Sequence, residues 1–352
     1  MKKLSAILLS LCLALTFFGC SAKTDDTQTS SSTSEPTTQP VKIVNPLTGE
    51  EDYNENAVGV RPVAVVVENT KSARPQWGIT TPDIIVEGEV EGGISRMLWL
   101  YADYTSLPEK VGPLRSARPS YVKFSELFDS IYIHWGGSHS KGNYTGGYET
   151  IKKDGVNDLD GMGGGKLFGR DTTRNVSSEH RGIMYGKKLA EVIKDKGYRT
   201  KVNESTTSLS FSDDASSAAL GSELSDKVSI KFSSRTDTRK FTYNSEKQAY
   251  TTKDWQTDVS FKNVIVLMDN TKYITTPYKG STTTYLNYTL QSGTGYYFAN
   301  GTKLAINWSA KGGKLELTDA NGKAITLSTG KSYIALASSN NGGSVTGTAN
   351  QQ

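Results

Sequence analysis

The spacing of apolar residues predicts strands and helices in alternation over the first two hundred residues. Continuous apolar runs at Val63–Val67 and Ile131–Trp135 are typical of buried strands. The mostly apolar segment Ile94–Tyr104 predicts an extended stretch, with the Arg96 side chain facing away from the core. Helical spacing over Pro119–Asp129, with proline in the first turn, predicts a helix.

A second helix is predicted over Lys187–Lys196, where Leu189, Val192 and Ile193 share a face and Gly197 follows as a stop signal. Beyond about residue 227 the pattern changes to short alternating segments separated by turn residues such as Asn300-Gly301. Ten strands are predicted there: Val228–Phe232, Lys240–Tyr243, Ala249–Thr252, Asn263–Met268, Thr283–Leu290, Gly295–Phe298, Lys303–Trp308, Lys314–Leu317, Ala324–Leu327 and Tyr333–Ala337. We therefore expect an α+β fold, with an N-terminal mixed α/β domain followed by a mostly antiparallel, β-rich C-terminal domain.

The first residues have the pattern of a secretory signal peptide of the lipoprotein type. Two lysines precede a short apolar run, Leu4–Phe18, which is shorter than a membrane-spanning helix requires. Gly19 then precedes Cys20, the expected lipidation site, and the following residues are polar enough to stay disordered. The predicted organisation is a signal peptide (1–19), a lipidated Cys20 with its tether (20–44), the α/β domain (45–202), a linker or peripheral strand (203–226), the β-rich domain (227–338) and a disordered tail (339–352).

Charge and cysteine content narrow the classes of function. The formal net charge is +4, and removal of Lys2 and Lys3 with the signal peptide leaves +2, so nucleic acid is not an expected partner. Cys20 would be the one cysteine of the mature chain, since Cys12 precedes it, which excludes an internal disulfide and a cysteine-based metal site. The three histidines match no metal-binding spacing, and we expect neither a metal nor another cofactor.

Arginine is unevenly distributed, and this suggests a binding surface. Nine of the eleven arginines lie between Arg61 and Arg199, whereas every basic residue after Arg239 is lysine. Arginine suits fixed, two-point contact with carboxylate or phosphate groups. Internal ion pairs are an equal alternative. If Glu87-Gly88-Glu89-Val90-Glu91 is extended, its three acids share one face, and a buried arginine–glutamate network is the simplest interpretation.

Familiar catalytic motifs are incomplete. Ser138-His139-Ser140-Lys141 has the Ser-x-x-Lys spacing of penicillin-recognising enzymes, but the surrounding glycines oppose a helix and no Lys-Thr-Gly follows. The glycine-rich segment ending at Lys166 lacks the residues that a phosphate-binding P-loop requires.

Several longer strings together resemble one known family. They include Asn45-Pro46-Leu47-Thr48-Gly49, Gly112-Pro113-Leu114-Arg115-Ser116-Ala117-Arg118-Pro119 and Tyr132-Ile133-His134-Trp135-Gly136-Gly137. The chain resembles the YerB-like lipoproteins of Gram-positive bacteria over nearly its whole mature length. The resemblance implies an extracytoplasmic address and a mixed domain followed by a β-rich one, but no settled reaction.

The resemblance also favours a shared set of polar residues as candidate ligand-binding groups. Near His180 the family usually has Pro-His-Asn, whereas this chain has Glu179-His180-Arg181, which weakens a catalytic role for His180. The candidate set is Asn69, Arg74, Glu91, Arg96, Arg115, Arg118, His134, Asp171 and Arg174.

Two functions follow as hypotheses. The favoured one is a non-catalytic envelope protein on the outer face of the cytoplasmic membrane, anchored by a lipid on Cys20. Its N-terminal domain would bind an anionic or peptide-like wall component, or a partner protein of wall assembly. The alternative is an enzyme acting on wall polymer, with Glu91 or Asp171 and His134 in acid–base roles.

Overall fold

The computed structural model describes residues 42–214 and 221–349, so the predicted signal peptide and Cys20 lie outside the described residues. The part up to residue 214 combines short helices with strands. Its strands are β1 (Val63–Glu68), β2 (Ile84–Glu91), β3 (Ile94–Tyr101), β4 (Lys110–Val111), β5 (Ile131–His134), β6 (Asp158–Asp160), β7 (Phe168–Arg170), β8 (Gly182–Tyr185) and β9 (Ser210–Ser212). Its α-helices are α1 (Pro119–Glu126), α2 (Gly147–Asp154) and α3 (Leu189–Asp195), and its 3₁₀ helices are Glu55–Ala57, Lys71–Ala73, Gly161–Gly163, Ser178–His180 and Gly186–Lys188.

The part from residue 221 is built of strands. They are β10 (Glu223–Leu224), β11 (Lys227–Lys231), β12 (Thr238–Asn244), β13 (Ala249–Thr252), β14 (Val259–Phe261), β15 (Asn263–Asp269), β16 (Thr271–Tyr278), β17 (Ser281–Tyr288), β18 (Ser292–Ala299), β19 (Thr302–Ser309), β20 (Glu316–Thr318), β21 (Thr326–Ser328), β22 (Ser332–Ser338) and β23 (Ser344–Thr348). The protein is thus mostly β, with a mixed first half and a β-rich second half.

Strands from both halves form one main sheet, in the order β10-β19-β18-β15-β22-β2-β3-β1-β5-β6. The halves meet where β2 runs parallel to β22, with Ile84 opposite Ser332. The β16–β17 hairpin joins β2 through Tyr285 opposite Glu91, and β20 extends the far end next to β19. A second sheet, β14-β13-β12-β11-β23, is antiparallel throughout.

The main sheet is covered on both faces, which explains the long apolar runs in strands such as β1 and β15. All six residues of β1 are buried. On one face, Val66 belongs to the same core cluster as Tyr121 and Phe124 of α1. On the other face, Val65 belongs to a cluster with Ile193 of α3 and with aromatic residues of the second sheet. By contrast, β12 alternates between buried and exposed positions, as expected of a strand with one wet face.

Strand direction brings the polar residues of the first half to one edge. β1, β2 and β5 run the same way, because β3 is antiparallel to β1 and to β2, while β5 is parallel to β1. The ends of β1, β2 and β5 and the beginning of β3 therefore lie together, and we call this the carboxyl edge. Ligands of open sheets commonly bind at such an edge.

Several predicted elements are present and some differ. Each of the ten segments predicted after residue 227 overlaps a strand, and α1 and α3 overlap the two predicted helices. The predicted disordered tail (339–352) is wrong over Ser344–Thr348, because these residues form β23 and pair with β11 along its whole length. The segment 203–226, predicted as a linker or peripheral strand, contributes strands: β9 pairs with β21, and β10 pairs with β19. Helix α2 was not predicted.

Candidate functional site

Glu91, Arg96 and Arg118 form a buried ionic cluster at the carboxyl edge. Arg118 donates to Glu91 through Nε at 2.8 Å and Nη2 at 2.5 Å, and Arg96 Nη2 donates to the same carboxylate at 2.9 Å. Burial alone would raise the pKa of Glu91, but the two guanidinium groups outweigh burial and lower it to about 2. Arg96 Nη1 also donates to the carbonyl oxygen of Ser116, and Arg118 Nη1 donates to that of Ala117.

Arg96 differs from its predicted placement. The expectation was a side chain facing away from the core, but Arg96 is only 5% exposed. A shift in pairing register between Glu89 and Glu91 explains part of the difference, because this bulge at the end of β2 lets Glu91 lie opposite Ile94. Glu91 then reaches Arg96, and the ion pair allows the arginine to be buried.

A second buried cluster surrounds Glu87 and links the two halves of the chain. Arg239 of β12 donates to Glu87 through Nη2 at 2.6 Å and Nε at 3.1 Å. Asn69 and Ser95 donate to the same carboxylate at 2.6 and 2.7 Å, and Tyr333 donates at 2.9 Å. The Arg239 and Tyr333 partners lie about 150 and 250 residues away in sequence, and no local pattern could have revealed them.

Glu68 and His180 form a third group. His180 Nδ1 lies 2.9 Å from Glu68 Oε2, and Thr70 donates to the other oxygen of that carboxylate. Arg115 lies 3.7 Å from Glu68 and pairs at 2.7 Å with Glu179, whose side chain is 55% exposed. The positive charge of Arg115 is therefore partly compensated by Glu68 and Glu179.

His134 lies in the core and not in an open pocket. It is fully buried, with Nδ1 at 2.7 Å from the Gly136 carbonyl oxygen and Nε2 at 3.0 Å from Asp158. Both ring nitrogens are occupied, so this geometry favours a structural role. Glu91 and Asp171, the acids proposed to act with His134, belong to separate contact groups.

The segment Arg170–Arg181, which we call the arginine loop, carries three cations, of which Arg170 is exposed and Arg174 and Arg181 are half-buried. Arg170 lies over the Trp135 ring at 4.7 Å, and Arg174 lies over the Trp77 ring at 3.7 Å. Arg170 also donates to the Ser178 carbonyl oxygen, and Arg181 donates to that of Val176. Among the described residues, no carboxylate lies within 4.0 Å of these three guanidinium groups. Their side chains are held in place without a direct ion pair, and the Asp171 carboxylate acts on Arg174 only at longer range.

Asp171 holds the beginning of the arginine loop. It accepts from Lys110 Nζ at 2.8 Å and from the Thr173 backbone N–H at 2.8 Å. The hydrogen bond from Lys110 is the main reason why the pKa of Asp171 falls to about 2. Asp171 is therefore an ionised anchor of the loop, poorly suited to act as a proton donor at neutral pH. The sequence indicated Arg174 but missed Arg170 and Arg181.

The described residues contain no group of three or more histidine, cysteine or acidic side chains placed to hold a metal ion. Within the same ranges, every helix is too short or too polar to cross a membrane.

Two family profiles match consecutive parts of the chain. The N-terminal domain of a family of proteins of unknown function, DUF3048, matches residues 47–199, and the C-terminal domain of that family matches residues 225–334. YerB of Bacillus subtilis (strain 168), a protein named as a lipoprotein, is 30% identical over 312 residues, which are 84% of this chain and 86% of YerB. The chain belongs to the YerB-like DUF3048 family.

A solved member of this family has the same architecture. The crystal structure of the YerB protein from Bacillus subtilis matches with a TM-score of 0.69 at 25% sequence identity. The match covers 87% of this chain and 100% of the YerB chain. The family resemblance inferred from the sequence is confirmed. The two profiles leave residues 200–224 unmatched between them.

Proposed function

We propose that this protein is a lipid-anchored, non-catalytic binding protein of the bacterial envelope, and that its arginine loop binds an anionic wall polymer. The observation that carries the proposal is the set of three arginines, Arg170, Arg174 and Arg181, that are held by aromatic rings and carbonyl oxygens without a carboxylate partner within 4.0 Å in the described residues. Guanidinium groups positioned in this way can donate to phosphate or carboxylate oxygens of a ligand without first breaking an ion pair.

The location of the protein is inferred from the pattern of its N-terminal sequence and from its relative YerB. Lipidation of Cys20 would attach the folded part to the outer face of the cytoplasmic membrane. YerB, which shares most of the chain length, is named as a lipoprotein. A wall polymer is then the nearest anionic partner, and an envelope protein remains a second kind of ligand for the same surface.

Accessibility decides which of the nine candidate residues we place at the binding surface. Arg96 and Arg118 are bound to Glu91, so a ligand would have to displace that carboxylate to reach them. Arg174 needs no such displacement, and Arg115 stands next to the loop through its contact with Glu179. We therefore assign Arg174 to ligand contact and Glu91, Arg96, Arg118 and His134 to the support of the edge.

The test uses the chain without its signal peptide and lipid, which we call the soluble chain. It compares binding of this chain to purified Gram-positive cell walls before and after removal of their phosphate-linked polymers. A double variant, Arg170→Gln with Arg174→Gln, should weaken binding by at least about 100-fold, because each of the two lost charge-assisted hydrogen bonds contributes about 1.5–3 kcal/mol. The matched control is Lys152→Gln with Lys153→Gln, two exposed cations of α2. Equal binding of both double variants, or unchanged binding to stripped walls, would refute the assignment.

A further inference from the structure

A polar cleft lies between the two halves of the chain, apart from the arginine loop. Its volume is about 520 Å³, which is within the range of pockets for small ligands. It opens between the turn that follows β1, the beginning of β3 and the beginning of β12. The charged side chains that line it are Lys71, Arg74, Arg239, Lys240, Asp237 and Asp254. Glu87 lies buried beside Arg239.

The charges of this cleft do not cancel. Four cations face two acids in the lining, and Glu87 supplies a third negative charge through its pair with Arg239. One positive charge is therefore left over. Because Lys71 and Lys240 are exposed while Arg74 is partly buried, the least compensated deep cation is Arg74.

An internal comparison shows what Arg74 lacks. The string Lys71-Ser72-Ala73-Arg74-Pro75 repeats as Arg115-Ser116-Ala117-Arg118-Pro119, and in both copies the alanine is fully buried. The arginine of the second copy, Arg118, binds the Glu91 carboxylate through two nitrogens. The arginine of the first copy bonds only to carbonyl oxygens, those of Asp254 at 2.7 Å and Asn69 at 2.8 Å.

The two arginines also differ in their electrostatic surroundings. Burial and the nearby Arg239 guanidinium lower the pKa of Arg74, and together they outweigh the opposing effect of the Glu87, Asp254 and Asp237 carboxylates. Burial likewise opposes the charge of Arg118, but Glu91 outweighs it and raises the pKa of Arg118. The Nε atom of Arg74 is a buried donor without a hydrogen-bond partner among the described residues. Arg74 is therefore the under-compensated copy, both in charge and in hydrogen bonding.

We propose that the cleft binds the carboxylate of a small peptide-like ligand, next to Arg74 and between Lys71 and Lys240. The ligand carboxylate would compensate Arg74 as Glu91 compensates Arg118. Two further features favour a peptide over a simple anion. Ile94, 43% exposed at the cleft, offers an apolar contact for a side chain, and the exposed Asp237 offers an acceptor for an N–H or ammonium group.

The proposal can be tested by titrating the soluble chain with N-acetyl-trialanine and its C-terminal amide, in L and D forms, followed by calorimetry and ligand-observed NMR. We expect the free acid of at least one form to bind at least about tenfold more tightly than its amide. Arg74→Gln should abolish this preference. Because that variant removes a partly buried group, Lys71→Gln with Lys240→Gln, both exposed, provides a second test and should weaken binding by about tenfold.

The matched control is Lys247→Gln with Lys253→Gln, two exposed cations of the same sheet, which should leave peptide binding unchanged. The Arg170→Gln, Arg174→Gln variant should also retain peptide binding, so failure here and failure of the wall-polymer proposal are distinguishable. Equal binding of acid and amide, retained binding by the Lys71, Lys240 variant, or competition by inorganic phosphate as strong as by the peptide would overturn the proposal.

Discussion

The buried cluster of Glu91, Arg96 and Arg118 gives the sharpest prediction about stability. In Glu91→Gln the shape is kept and the charge is lost, which leaves two buried guanidinium groups with one neutral amide between them. The Glu91 side chain is 19% exposed and its pKa is lowered from 4.5 to about 2. Since each pKa unit is worth about 1.4 kcal/mol, the ionised carboxylate contributes about 3 kcal/mol at neutral pH.

The direction of the pH dependence follows from the sign of that change. Because the pKa of Glu91 is lower in the folded protein than its ordinary value, its stability contribution is fully present above about pH 4.5. The contribution is lost as the pH falls towards 2. Breaking a buried pair costs about 3–5 kcal/mol in general, so the two estimates agree at neutral pH.

The assay is equilibrium urea unfolding of the soluble chain at pH 7, 5, 4 and 3. We expect Glu91→Gln to lose about 3–5 kcal/mol at pH 7 and the difference from the wild type to shrink steadily below pH 4.5. Glu109→Gln is the matched control, because Glu109 is an exposed acid near the same edge. A loss below about 1 kcal/mol at pH 7, or a difference that stays constant down to pH 3, would show that the cluster does not act as described.

Two further predictions use other buried charges. Arg239→Met should lower the free energy of unfolding by about 3–5 kcal/mol, because Glu87 is completely buried and would lose its cation. The control is Arg235→Met, since Arg235 is exposed. Equal losses of stability in the two variants would contradict the reasoning. Burial raises the pKa of Asp83 from 3.8 to about 6, so its stabilising contribution is complete below about pH 3.8 and is lost as the pH rises through 6. The stability of Asp83→Asn relative to the wild type, measured by urea unfolding, should therefore increase as the pH rises from 4 to 7. The same pH dependence of stability in both proteins would count against this account.

Local patterns predicted the elements whose surroundings are simple. β1 and β5 are recognisable because a strand that is covered on both faces commonly contains a nearly continuous apolar run, as in Val63–Val67 of β1. α1 is recognisable because its apolar spacing and its first proline both fit a helix. Segments such as β12 were recognisable from their alternation, since one face of the strand is solvent-exposed, whereas β15 and β22 are buried on both faces and were recognisable as apolar runs. In such elements the sequence carries the complete signal.

β2 was not predicted because its signal depends on distant residues. Glu87 and Glu89 in a strand would repel each other and resist burial if the strand were considered alone. Arg239 and Tyr333 make the burial of Glu87 possible, and the Tyr273 hydroxyl donates to Glu89. These partners come from the second half of the chain, and periodicity contains no information about which acid they meet. The same limit applied to the tail, whose strand β23 exists only because β11 offers it an edge.

Arginine content alone pointed to a binding surface, but the structure shows that the guanidinium groups fall into two classes. Arg96 and Arg118 have a resident carboxylate, and their charge is used to bury the end of β2. Arg74 and Arg174 are held by carbonyl oxygens or by an aromatic ring, so their geometry is fixed while their charge is still available. An anionic ligand gains most where a cation is already ordered and lacks a competing acid, because neither side-chain ordering nor displacement of an ion pair opposes binding. Whether a guanidinium group at this edge supports the fold or stays available to a ligand therefore depends on whether a glutamate, above all Glu91, lies next to it. The number of arginines matters less.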